Sequence, residues 1–201
     1  MTIQDIALPK SERTRQTIED AAYNLFLEQG YHGTSMRQIA ERAGLSLGAI
    51  YNHFNSKEDI FQALVIAKHP YKQILPLIGQ AEGQTAEDYI RNAARAIQQE
   101  LGRHPDFVKL MFIEIVEFNG RHFPQLFQII YPHILPALQR LAAPESGVRP
   151  LPLPLLLRTL MGSILAFYLT DFLMTDDTLP PDLRSASLED FLDIYLHGIL
   201  E

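Results

Sequence analysis

Apolar residues recur along the chain at helical spacing. No stretch sustains the period-two alternation of a half-buried strand, so the pattern predicts an all-α protein. The first dozen residues read as a loose arm. Ile18, Ala21, Ala22, Leu25 and Phe26 then form one stripe of a helix that Gly30 should end. Ser35 is placed to cap a short helix, SMRQIAERAG, with Met36, Ile39 and Ala43 facing inward and Gly44 as its terminator. AGLSLGAIYNHF, residues 43–54, holds a second short helix capped by Ser46, with Ile50 and Phe54 four apart on its core side. Ser56 caps a fourth helix, and Asp59 completes a capping-box-like pair with it.

Beyond residue 69 the pattern stays helical but is interrupted by proline. Pro70 and Pro76 should kink or break the fourth helix. Thr85 with Asp88 opens the next helix, and Pro105 suits the first position of PDFVKLMFIEIVEFNG. A helix over about 122–142 carries Pro124, Pro132 and Pro136, which predicts that it is bent or divided. PESGVRPLPLP, 144–154, is a loop. Two last helices are expected over about 153–175 and 187–200, joined by TDDTLPPDLRSAS.

The spacing within 35–54 carries the chemistry. Two short helices joined by a tight turn make a helix-turn-helix, whose second helix enters the major groove of DNA in proteins of that kind. The outer face of the second helix would carry Gly48, Ala49, Asn52 and His53, flanked by Leu47 and Tyr51, with no charged residue among them. A solvated face is ordinarily charged. Gly48 also costs such a helix about 0.5–1 kcal/mol relative to alanine. Both oddities make sense if the backbone must press close to a partner. Asn52 can pair with a base edge, and Leu47 or Ala49 can touch a thymine methyl. Tyr51 and His53 can donate to phosphates. Lys57 with the free N–H groups of the fourth helix, and Thr34, Ser35 and Arg37 at the start of the second, are candidate phosphate contacts, and Arg37 can reach a guanine. Spacing alone is equally compatible with a helical bundle that never meets DNA.

Residues 11–71 resemble the DNA-binding domain of the TetR family of bacterial transcriptional regulators. The resemblance rests on AAYNLFLEQGYHGTSMRQIAERAGLSLGAIYNHFNSKEDIF, with the glycine, the Tyr-x-His-Phe and the Ser-Lys-Glu in register, and covers about a third of the chain. It implies a helix-turn-helix over about 34–53. It implies DNA contacts by Thr34, Ser35 and Arg37, by Leu47, Gly48, Ala49, Tyr51, Asn52 and His53, and by Lys57. It further implies that 72–201 is an all-α effector-binding and dimerisation domain whose last two helices pack against a partner's. The implied protein is a homodimeric repressor that binds a palindromic double-stranded DNA operator and responds to a small effector through the fourth helix.

Composition bounds the rest. The net charge of −7 lies wholly in residues 73–201, with nine basic and sixteen acidic residues, while 1–72 holds eight of each. Such a balance would not by itself suggest nucleic acid. Without cysteine there is neither a disulfide framework nor a cysteine-ligated metal site. No signal peptide is visible, and the most apolar run, LMGSILAFYL, is too short to span a bilayer. The expectation is a cytoplasmic protein with no membrane partner. The sequence contains no phosphate loop, HExxH or Glu-x-x-His pair, so no catalytic residue, cofactor or metal is expected.

The helix over 153–175 is apolar almost all round, which fits either a dimer interface or a monomer's central helix. Leu160, Ile164, Phe167 and Tyr168, with Phe191 and Tyr195 of the last helix, are its candidate interface residues. In the helix over 105–119, Phe107, Met111 and Phe118 could line a pocket for a largely apolar effector, with Glu114 or Glu117 as the polar anchor. Plain core packing explains the same pattern. A helical ligand-binding or interaction protein without DNA-binding activity is the alternative to the regulator.

Overall fold

A computed structural model of the chain describes residues 9–174 and 176–200, so most of the expected N-terminal arm lies outside the described residues. Eleven α-helices follow in order: α1 (Lys10–Gly33), α2 (Met36–Ala43), α3 (Leu47–Tyr51), α4 (Lys57–Lys68), α5 (Tyr71–Gln80), α6 (Ala86–Gly102), α7 (Pro105–Phe118), α8 (Phe123–Leu141), α9 (Leu153–Leu173), α10 (Pro181–Arg184) and α11 (Leu188–Ile199). Among the described residues the only extended pairing is an isolated bridge between Val148 and Leu200.

The chain divides into two compact units. One comprises residues up to His69 together with His104–Gln128; the other comprises Pro70–Arg103 and the chain from Ile129 onward. In the first unit, Ile18 and Phe26 of α1, Ile39 of α2, Ile50 of α3, Ile60, Phe61 and Leu64 of α4 and Leu110 of α7 are fully buried. Phe61 packs edge-on to Phe26, with ring centroids 5.6 Å apart, and stacks on Phe118 at 4.7 Å. Each fully buried side chain of this size typically contributes about 1.5–3 kcal/mol.

The helix ends follow their sequence signals. Gly30 breaks the regularity of α1 at φ 78°, where the helix was expected to stop, and one further turn precedes Thr34. Ser35 and Gln38 cap α2 reciprocally, and Gly44 closes it at φ 67°, a left-handed conformation that glycine adopts without a Cβ penalty. His69 adopts the extended conformation usual before proline, so Pro70 ends α4 rather than kinking it. Two expectations change. The helix within 43–54 is only five residues long, closed by Asn52. Residues 123–141 form one helix despite Pro132 and Pro136.

In the second unit, Tyr89 and Ile90 of α6, Leu156 and Phe167 of α9, and Leu188, Leu192 and Leu196 of α11 share one core. Arg91 of α6 reaches Glu189 and Asp193 of α11 at 3.2 and 2.7 Å. The loop before α9 pairs with the chain end, Arg149 N–H donating to Ile199 O at 2.7 Å. The expected linker between α9 and α11 contains the short helix α10.

Candidate nucleic-acid interface

The turn between α2 and α3 is built from backbone hydrogen bonds and one hydroxyl. Leu45 N–H returns to Ala40 O at 2.9 Å, and Ser46 Oγ accepts from Ala49 N–H at 3.2 Å. α3 is far below the length at which a helix is stable alone. Burial of Ile50 and of Phe54 just beyond it fixes it to the domain. That anchoring turns Leu47, Gly48, Tyr51 and Asn52 outward, and Leu47 and Tyr51 are 41% and 50% exposed. A Cβ at Gly48 would meet no atom within 4 Å, and nothing in its backbone conformation calls for glycine. Ala49 and His53 are half-buried at the edges of this face. The expected outer face is thus formed, and it carries no charge.

Arg15 of α1 supports the far end of the motif. Its guanidinium lies 4.1 Å from the Phe54 ring centroid and donates to His53 O at 3.4 Å. This residue escaped the sequence reading because it stands 38 positions before its partner and outside the motif. Arg42 and Glu28 pair through two bonds of 2.9 and 2.7 Å, joining α2 to α1.

The candidate phosphate contacts divide. Ser35 and Arg37 are exposed at the start of α2, Arg37 resting on Glu41 at 3.1 Å. Thr34 is buried, its hydroxyl donating to Gly30 O at 2.9 Å, so its side chain holds the α1–α2 corner instead of facing outward. Lys57 also turns inward: its Nζ donates to Tyr31 O and Thr34 O, both at 2.6 Å, and sits 4.0 Å from the Tyr31 ring centroid. Burial holds its ammonium below the usual lysine range, with Glu117 opposing that shift. Two of its three donors are therefore occupied within the domain. The start of α4 is also less open to anions than the sequence suggested. Ser56 Oγ takes Asp59 N–H at 3.0 Å, and the Asp59 carboxylate accepts from Asn55 N–H at 3.1 Å.

The residues expected around an effector all lie on α7. Phe107, Glu114 and Phe118 are buried in the core of the first unit, and Met111 is half-buried. Phe107 meets His69 edge-on at 4.7 Å, and Phe118 meets Tyr31 at 4.8 Å. The Glu114 carboxylate, one of the two expected polar anchors, is bonded to His122. One cavity of about 150 Å³ lies in the second unit, lined by Phe167, Met174 and Phe191 together with Asp171 and Arg184.

On α9 the expected interface residues also face inward. Phe167 is buried, and Leu160, Ile164 and Tyr168 pack against the core; on α11, Tyr195 is buried and Phe191 packs beside it. The exposed stripe is the neighbouring one: Leu155, Met161, Leu165, Leu169 and Phe172, with Ile194 of α11, 77% exposed. Only 11% of the most apolar stretch of α9 is buried, and the whole helix of 21 residues is long and apolar enough to cross a bilayer. Among the described residues no cluster of His, Asp and Glu could hold a metal ion.

A capped helix, a left-handed glycine turn and a second short helix presenting an uncharged face define a helix-turn-helix domain of the DNA-binding class. Residues 18–64 match the family model described as bacterial regulatory proteins, tetR family. That match is confined to the N-terminal helix-turn-helix domain. It is 44% identical to the HTH-type transcriptional regulator SrpR of Pseudomonas putida over 62 residues, 30% of this chain and 29% of that protein. It is 28% identical to the uncharacterized HTH-type transcriptional regulator YvkB of Bacillus subtilis over 121 residues, 60% of this chain and 58% of that one. The chain thus matches less than two thirds of the length of these relatives. The fold extends further: Salmonella enterica GusR superposes with a TM-score of 0.69 at 22% identity, covering 96% of this chain and 98% of the other.

Proposed function

We propose that this protein is a cytoplasmic, one-component transcriptional regulator, a repressor that binds a palindromic double-stranded DNA operator as a homodimer. The observation that carries the reading is the outer face of α3, held in place by Ile50 and Phe54 and bare of charge. Gly48 and Ala49 let the backbone approach the groove, Leu47 and Asn52 meet base edges, and Tyr51 and His53 meet phosphates. Ser35 and Arg37 contact the backbone from α2. Thr34 and Lys57 contribute through the corner they hold, with the third donor of Lys57 available to a phosphate. DNA binding belongs to residues 11–71, and effector binding and dimerisation to 72–201.

The exposed stripe of α9 supports a homodimer, because an apolar face of this extent on a water-soluble protein calls for a cover. A two-fold dimer also matches paired half-sites about 34–36 Å apart. A small, largely apolar effector acts on the helical body and shifts the DNA-binding equilibrium, with a coupling typically of 1–3 kcal/mol. The family relationship and the names of the relatives favour regulation over catalysis.

A gel shift with DNA flanking the protein's own gene, at two salt concentrations, tests the reading. A palindrome-containing fragment should shift, with affinity falling steeply as salt rises. Absence of a shift with every flanking fragment would overturn it in favour of a helical interaction protein, the reading that the exposed α9 stripe would then support.

A further inference from the structure

The buried interior of the first unit contains one ionisable pair that the helix-turn-helix itself does not explain. Glu114 of α7 is fully buried. One of its carboxylate oxygens accepts the backbone N–H of His122, and the other meets His122 Nδ1, both at 2.8 Å. The Nδ1–Oε2 contact shares one proton, and a hydrogen on Nε2 is what lets the ring donate towards Glu58. The opposite ring nitrogen, Nε2, faces Glu58 Oε1 of α4 at 3.5 Å, and Arg121 donates to the same oxygen at 2.8 Å. Phe118 and Phe61 flank the imidazole at 4.9 and 6.2 Å. Gln62 of α4 and Gln125 of α8 bond at 2.8 Å alongside.

A left-handed turn makes this possible. Asn119 and Gly120 have φ of 52° and 73°, and Gly120 N–H returns to Glu114 O at 3.2 Å. The turn brings His122 back over the last turns of α7. An apolar side chain of similar size would fill the position of Glu114 without the desolvation cost of a buried carboxylate, so packing alone does not call for an acid here. What the acid adds is direction: two bonds of fixed geometry that aim the imidazole at α4, the helix that follows the recognition motif.

We propose that Glu114 and His122 are positioning residues for DNA binding, which hold α4, through Glu58, in the orientation that sets the α2–α3 motif against the operator. The inference rests on the DNA-binding reading above. It gives residues 104–128 a part in operator recognition without any of them touching DNA.

Operator affinity and thermal unfolding are measured together for Glu114→Met, Glu114→Gln and the wild type, on a fragment that the wild type shifts. Glu114→Met leaves the buried His122 N–H and ring nitrogen without their partner, so its unfolding midpoint should fall. At a temperature where it remains folded it should lose operator affinity by about tenfold, within the usual range of coupling between sites. Glu114→Gln, which still accepts from His122 N–H, should recover most of that loss. A Glu114→Met protein that folds and binds as the wild type does overturns the inference while leaving the DNA-binding reading intact. A wild type that binds no fragment overturns both. Should Glu114→Met not fold, Glu58→Gln, His122→Gln and their double variant decide. Their effects on operator affinity should be non-additive by about threefold or more, and additive effects overturn the inference. The cycle removes any plain charge effect of Glu58 on DNA.

Discussion

α3 and α9 both leave apolar side chains exposed, yet the two faces differ in size and polarity. α3 is five residues long, held by Ile50 at its centre, and offers a mixture of Leu47, Gly48, Tyr51 and Asn52. α9 is 21 residues long and offers a long stripe of large apolar side chains, interrupted by the exposed Arg158. A small, partly polar face suits a groove whose floor carries donors and acceptors. A long apolar stripe suits another stripe like itself, where release of water supplies the driving force. Lack of charge by itself says that a helix face has a partner; the size and polarity of what remains say which kind.

The comparison breaks most visibly at α9. Met161→Asp combined with Leu165→Asp should convert a dimer to a monomer and abolish operator binding. Two buried anchors are typically worth about 2 kcal/mol each, together roughly a thousandfold in dimer affinity. Light scattering in detergent-free buffer checks this, and a wild type already monomeric under those conditions would defeat the assignment. At α3, Gly48→Leu should lower operator affinity towards the non-specific level, typically about a thousandfold below specific binding. Its unfolding midpoint should hold or rise, because the added side chain meets nothing and the helix gains up to about 1 kcal/mol of propensity. A destabilised Gly48→Leu variant would instead make the glycine a folding requirement.

A third effect concerns the interior of the first unit at the end of α4. Burial pushes the His69 imidazole down to about 4, from 6.5. Between those values the unfolded chain binds a proton that the folded chain refuses, so stability falls as pH drops from 6.5 towards 4 and is unaffected above. The loss reaches about 3 kcal/mol. Urea unfolding at pH 7 and pH 4.5 measures it, and His69→Leu should flatten that part of the profile. An unchanged slope in His69→Leu would assign the acid lability to other groups. The smallest effects should fall within the α3 face. Tyr51→Ala should weaken binding to all sequences by about tenfold, whereas Asn52→Ala should alter sequence preference. Binding profiles against operator variants separate the two, and matching profiles would erase the division between phosphate and base contacts.

Local signals carried much of the fold. Ser35, Ser46, Ser56 and Thr85 cap the helices they were expected to cap, and Gly44 closes α2, because a cap is decided by its own residue and the next three. The residues expected at an α9 interface pack on the core of their own unit, and the reason the sequence could not sort them is physical. A helix apolar on all sides gives no moment to mark its inner face, and the chosen residues lie beside the exposed stripe. For α7 the sequence left both an effector pocket and plain core packing open, because Phe, Met and Glu at helical spacing look alike around a cavity and in a core. The partners that decide between them, Tyr31, Phe61 and His69, lie dozens of residues earlier. Glu114 and His122 meet only through the left-handed turn at Asn119, which no periodicity announces.

The shortness of α3 has one more consequence. Its fold rests on a single inward residue and a hydroxyl cap, while the side chains at 47, 48, 51 and 52 face outward. Substitutions at those positions are nearly free of any effect on folding. On the proposed reading, a lineage of such proteins can therefore wander from one operator sequence to another without passing through unstable ancestors.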